Sequence, residues 1–271
     1  MSIGTNIRRQ REIKGFTQTE LARRVGVSFQ AVSAWEKDTY APDTDNLLKL
    51  SRELDVSLSA LVEDKLNSFK VKDHIYNWEH MKTYVKTTAR ERGMADTLKA
   101  LDYAVKAHKG QKRKRSKIPY IYHPLNMACH ALAMGIYEDE LIAAVLLHDV
   151  VEDCGKKPEE LPVSDEARET VRLMTKEEYA EEDKDEVLDR YYHNLSQSPK
   201  AALVKCMDRC NNLTNMALAF SRDKIFRYIA ETEKYYPDLI AVIKSVPEYN
   251  DAAWLLKYQI ESMLDIYKRL L

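Results

Sequence analysis

Between residues 139 and 153 the chain places Leu141, Ile142, Ala143, Ala144, Val145, Leu146, Leu147, Val150 and Val151 on most faces of one helix. It then loads the end of that helix with His148, Asp149, Glu152 and Asp153. A helix that is apolar nearly all round has to be buried, so it forms the centre of its domain. Ionisable groups there are costly unless they are paired or bind a metal. His148 and Glu152 stand at i and i+4 on one face, and Asp149 lies one turn before Asp153. A metal held by His148 and Asp149 leaves Glu152 and Asp153 beside a water on that metal. The bland alternative, an ordinary helix end with exposed acids, is weakened by two further segments. His123 stands at a helix mouth before Pro124, which suits the first turn of a helix. Asp208 sits in apolar company within the helix that Ser198-Pro199 opens.

The rest of the chain is read as all-α. Its 271 residues include only 7 Gly and 8 Pro, and alternating β-branched runs are few. Lys and Arg number 42 against 43 Asp and Glu, so any nucleic-acid contact must come from a local basic surface. No apolar segment of 18 residues occurs, and the first residues lack the apolar core of a secretory signal, which gives a cytoplasmic expectation. Cys129, Cys154, Cys206 and Cys210 form no C-x-x-C pair and are read as buried free thiols. His130 is read as structural.

Near the start, Thr17-Gln18-Thr19-Glu20 is a capping box that opens a helix at Gln18, and Gly26 can close it. Ser28 then caps a second helix from Phe29 to about Lys37. Two short helices joined this tightly have helix-turn-helix geometry. The stretch from Gly15-Phe16-Thr17-Gln18 through Val25-Gly26-Val27-Ser28 to Ala31-Val32-Ser33-Ala34-Trp35-Glu36 resembles the lambda-repressor and Cro-like (XRE) family. That resemblance covers about the first 65 residues and implies a five-helix module that binds double-stranded DNA as a homodimer. It implies that Gln18 touches a phosphate and that Ser28, Phe29, Gln30, Ser33 and Ala34 occupy the exposed early face of the recognition helix. Gln30 is the best base reader, since its amide can bond adenine in a bidentate way. Arg8, Arg9, Arg11, Lys14, Arg23 and Arg24 give this end a positive excess for phosphate contacts. A degenerate module that mediates only protein contacts is the alternative.

Residues 66–93 read as a linker, helical and without chemistry; Trp78 can pack on either neighbour. From residue 94 a helix runs to Lys109 and stops at Gly110. Then come six cations within nine residues, counting Lys109, Lys112, Arg113, Lys114, Arg115 and Lys117. They can form a solvated loop, a nucleic-acid patch or, as the lead into His123 favours, a clamp for a polyphosphate. The acidic tract at residues 177–189 reads as a solvated loop and helix face. Two amphipathic helices follow, at 221–236 and 250–271, with Trp254 and Leu255 assigned to the core.

The ordered set His108-Lys109-Gly110-Gln111, Pro119-Tyr120-Ile121 with His123-Pro124, Leu146-Leu147-His148-Asp149-Val150-Val151-Glu152-Asp153, Met174-Thr175-Lys176, and Lys205 with Asp208-Arg209 and Asn212 is similar to the HD-domain hydrolases of the RelA/SpoT group. It spans roughly residues 94–260. The resemblance implies hydrolysis of the 3′-pyrophosphate of (p)ppGpp with manganese, and the small animal members also act as NADPH phosphatases. It implies that His123, His148, Asp149 and Asp208 hold one metal ion, and that Glu152 and Asp153 orient and deprotonate the attacking water. Arg113, Lys114 and Lys205 would grip phosphates, and Asn212 would help hold the nucleoside. Asn211 stands where the family usually has His, and Asn215 where Thr is common. The expected order is a DNA-binding domain at 1–65, a linker at 66–93 and a metal-dependent phosphohydrolase domain at 94–271. Its rival is a transcription regulator whose HD domain senses a nucleotide with little turnover, and a third reading is an NADPH phosphatase that uses the same metal site.

Overall fold

In a computed structural model, residues 2–56, 58, 61, 77–113, 118–176 and 184–270 are described. They hold no β-strand; an isolated bridge pairs Lys112 with Pro119. The chain divides into two compact units, Met1–Lys72 and Asp73–Leu271.

The first unit contains α1 (Ile3–Ile13), α2 (Gln18–Val25), α3 (Phe29–Glu36) and α4 (Thr44–Leu54). Each start is capped by a short polar side chain: Ser2, Thr17, Ser28 and Asp43 accept the backbone N–H three residues on. Gly26 ends α2 at φ 78°, a left-handed conformation that glycine adopts without a side-chain clash. Val27 and Ser28 complete the turn into α3. Ile7, Leu21, Val25, Val32, Trp35, Leu50, Leu54 and Leu61 fill the core. Arg11 spans from α1 to Glu36 of α3 with two hydrogen bonds, 2.6 and 3.0 Å, and donates a third to Phe16 O. The expected fifth helix falls largely outside the described residues, although Leu58 and Leu61 are helical and Leu61 is buried.

The second unit consists of α5 (Trp78–Glu91), α6 (Ala95–Ala107), α7 (Tyr122–Ala133), α8 (Asp139–Leu147), α9 (Val150–Cys154), α10 (Asp165–Met174), α11 (Lys184–Ser196), α12 (Pro199–Ala219), α13 (Arg222–Lys244) and α14 (Asn250–Leu270). Leu141 to Leu147 are each fully buried, and α6, α7, α10 and α12 all pack on α8. Asp139, at the start of α8, accepts the backbone N–H groups of Asp96 and Thr97 and so caps α6. Arg209 of α12 is buried and donates to Tyr192 of α11 and to Thr232, Tyr236 and Glu231 of α13. That fixes α12 against two neighbours.

Three expectations are corrected. The segment read as a linker contains α5, which buries Met81, Val85 and Ala89 in the core of the second unit and belongs to it. The single helix expected over 139–153 is two helices, broken at His148 and Asp149. Trp254 and Leu255 are not core: they are 65% and 39% exposed, because Ala252, Ala253, Leu256, Ile260, Leu264 and Tyr267 form the face of α14 that packs inward. The acidic tract lies outside the described residues up to position 183, and α11 begins at Lys184. The four cysteines are free thiols; Cys206 and Cys210 are buried, and Cys129 and Cys154 half-buried. No described helix is long and apolar enough to cross a membrane.

Candidate metal centre and helix-turn-helix face

Adjacent side chains on a continuous helix diverge by about 100°, a consequence of 3.6 residues per turn. The break after Leu147 lets His148 and Asp149 turn to one point. Asp149 Oδ2 lies 3.1 Å from His148 Nε2 and 3.5 Å from His123 Nε2. His123 comes from the first turn of α7, which begins at Tyr122, and Pro124 lies in that same turn. Asp208, midway along α12, sets Oδ1 3.2 Å from His123 Nε2 and 3.9 Å from His148 Nε2. Three elements therefore converge. The donor atoms of His123, His148 and Asp149 all lie within 4.8 Å of one another.

Each of these side chains is held from behind. His148 Nδ1 lies 2.8 Å from Val145 O, so it donates there and turns Nε2 inward. His123 Nδ1 lies 2.7 Å from Asn211 Oδ1. Tyr120 donates its hydroxyl to Asp149 Oδ2 at 2.7 Å, and its ring stacks on His108 at 4.7 Å. Asp208 accepts Asn212 Nδ2 at 2.6 Å and Lys205 Nζ at 3.2 Å. Burial alone would raise the Asp149 pKa, but His148 and His123 outweigh it and hold the carboxyl well below its usual range. Burial opposes a charged His148, yet Asp149 and Asp208 raise its pKa to about 9. Burial, with the Asp149 charge behind it, pushes the Tyr120 phenol far up, so it remains a donor.

These residues fit a divalent transition metal. Two imidazoles and two carboxylates surround one buried point, and His148 Nε2 has no hydrogen-bond partner there. The sequence-predicted residues around them divide by position. Glu152 is exposed at the rim and its Oε1 accepts the Lys176 N–H at 2.5 Å. The protein packed about that carboxylate raises its pKa. Asp153 is exposed, and its side chain reaches Tyr120. Arg113 donates to Asn212 Oδ1 at 3.1 Å, which ties it to the Asp208 side. Lys205 and Asn212, expected at the substrate, also support Asp208. Lys114 lies outside the described residues. His130 is on the exposed face of α7.

Sequence reasoning gives no role to Tyr120, Asn211 or Lys176. Lys176 and Lys205 set their ammonium groups 5.1 and 5.5 Å from the Tyr191 ring centre, forming a cationic wall next to Asp208. Asn211 lies three residues after Asp208, near the same face of α12, but nothing in the sequence pairs it with His123.

In the first unit, Ser28, Phe29 and Gln30 are exposed at the start of α3, while Ser33 and Ala34 are half-buried. Ser28 caps α3 through Ala31 N. Gln18 donates to Glu36 Oε2 at 2.7 Å, so its amide is steered by the Arg11–Glu36 pair. Of the basic residues, Arg11 is committed to that pair, and Arg8, Lys14 and Arg24 face Glu12, Asp55 and Glu53.

Residues 7–61 match the helix-turn-helix family model, and residues 100–241 match the HD-domain family model, more than half of the chain. The chain belongs to the HD-domain family. The chain is 31% identical over 171 residues to a guanosine-3′,5′-bis(diphosphate) 3′-pyrophosphohydrolase of Aquifex aeolicus, covering 59% of this chain and 23% of that protein. Over 123 residues it is 34% identical to the enzyme of the same name from Xenopus tropicalis, covering 44% of this chain and 68% of the relative. The chain thus spans about a quarter of the bacterial relative and two thirds of the animal one. A solved structure of a metazoan ortholog of SpoT that hydrolyzes ppGpp superposes with a TM-score of 0.51 at 22% identity, covering 64% of this chain and 96% of that one. That likeness shows the HD-domain fold.

Proposed function

We propose that the HD domain is a metal-dependent pyrophosphohydrolase that removes the 3′-pyrophosphate of (p)ppGpp or a related nucleotide, and that the helix-turn-helix unit binds DNA in a sequence-specific way. The observation that carries the catalytic half is the convergence of His123, His148, Asp149 and Asp208 on one buried point. The relatives' activity supports the choice of substrate.

Those four side chains hold the ion, for which manganese is chemically apt. When bound, the ion lowers the pKa of a water and neutralises charge on the attacked phosphorus. Glu152, fixed by the Lys176 N–H, takes the proton of the attacking water, and its raised pKa suits a base. Asp153 orients that water. The water oxygen bonds to the inner phosphorus of the 3′-diphosphate, the bond from phosphorus to O3′ breaks, and the proton that Glu152 took from the water is passed on to O3′. The products are GDP, or GTP, and pyrophosphate. Lys205, Lys176 and Arg113 supply positive charge along the phosphates.

For the DNA half, Gln30 and Phe29 stand exposed at the leading end of α3, where a recognition helix meets base edges. One such module makes few contacts, so the reading includes a homodimer on a two-fold site. The test of the catalytic half is pyrophosphate release from ppGpp by the full chain and by Asp149→Ala with manganese. Release by the full chain alone is expected; equal release by both sinks the assignment.

A further inference from the structure

Asn211 is 3% exposed in the middle of α12, and its Oδ1 lies 2.7 Å from His123 Nδ1. A neutral imidazole carries one proton, and the group facing one ring nitrogen decides where it sits. An oxygen facing Nδ1 demands the proton at Nδ1. It leaves a lone pair on Nε2, which points toward Asp149 Oδ2 at 3.5 Å and Asp208 Oδ1 at 3.2 Å. Two carboxylates at that end pull the other way, because each would accept a proton from Nε2. Without an acceptor behind it, the ring would place its proton on Nε2, where a metal needs a lone pair. We propose that Asn211 is a positioning residue that sets the tautomer of His123 and so keeps its Nε2 open to a divalent cation. This rests on the metal-centre reading.

The contrast with His148 sharpens the point. There the acceptor is the backbone carbonyl of Val145, which no substitution removes. At His123 the same task falls to a side chain, so the tautomer depends on one residue. It also depends on which way the amide is turned: the nitrogen of Asn211 at that place would donate to Nδ1 and favour the proton on Nε2. Outer partners of a metal-ligating imidazole typically govern 10–100-fold in metal affinity.

The experiment compares the full chain with Asn211→Asp and Asn211→Leu. Aspartate offers only acceptor oxygens, whereas leucine fills the volume and offers none. Manganese affinity is read by titration, and the protonated nitrogen of His123 is read from ring nitrogen shifts in the metal-free chain under alkaline conditions. The expected result is a proton on Nδ1 in the natural chain and in Asn211→Asp. In Asn211→Leu the proton moves to Nε2, and manganese affinity falls about 10–100-fold. Rescue by aspartate separates an acceptor role from a packing role. Manganese affinity unchanged in Asn211→Leu, or weakened as much in Asn211→Asp as in Asn211→Leu, overturns the proposal while the metal centre stands. A proton on Nδ1 in the natural chain together with no manganese binding overturns the metal centre and leaves the tautomer assignment standing.

Discussion

Asp149 Oδ2 has three close neighbours: the Tyr120 hydroxyl at 2.7 Å, His148 Nε2 at 3.1 Å and His123 Nε2 at 3.5 Å. The phenol fixes one carboxylate rotamer, and its ring is backed by His108. Tyr120→Phe keeps the ring and removes only the hydroxyl, so the fold should be retained while manganese affinity drops about tenfold, the low end for such an outer partner. A titration that finds natural affinity in this variant contradicts the role. A different kind of residue contributes to acid stability. Burial raises the Glu231 pKa, but the buried Arg209 guanidinium beside it outweighs that, and the net shift is downward from 4.5. A lowered folded pKa contributes stability that is fully present above the unfolded value near 4.5 and is lost as pH falls through the lower folded value. Glu231→Gln should remove this acid-side loss and, by leaving Arg209 buried without its carboxylate, cost roughly 3–5 kcal/mol at neutral pH. Denaturant melts at pH 3 and pH 7 check both.

At the scale of elements, α14 shows what one face contributes. Leu256→Ala empties a core site and should cost about 2–5 kcal/mol, whereas Trp254→Gln, on the exposed arc, should change stability by less than about 0.5 kcal/mol. Paired denaturation curves decide this. In the first unit, a Cβ on Gly4 would meet the Trp35 carbonyl oxygen at 2.0 Å, so Gly4→Ala should force α1 away from α3 at a cost of about 1–3 kcal/mol. The elements were legible to different degrees for related reasons. Boundaries of α2 and α3 could be read because Thr17, Gly26 and Ser28 act on their own neighbours in sequence. The break between α8 and α9 could not, since Val150 and Val151 resume the apolar pattern directly after His148 and Asp149 and no glycine or proline marks it. Trp254 and Leu255 were misassigned because α14 is apolar on two faces, and periodicity alone does not choose which is buried. Gly4 gave no local signal either, as its constraint comes from Trp35 and Asp38, more than thirty residues away. At the candidate centre the ionisable groups stood out against apolar surroundings, while Tyr120 and Asn211 did not, since hydrogen bonds between helices leave no mark on spacing.

The whole molecule joins two units whose proposed tasks depend on separate residues. Asp149→Ala should abolish hydrolysis and leave DNA binding intact, and Gln30→Ala should weaken DNA binding with turnover unchanged. Assays of both activities on both variants would show loss of the two together if one function were only a by-product of the other. The most direct measurement is product release from ppGpp, pppGpp and NADPH by metal-stripped protein, with and without added manganese. Pyrophosphate released from ppGpp or pppGpp only when manganese is present is the predicted result; no turnover of either with manganese, or phosphate released from NADPH alone, would contradict it.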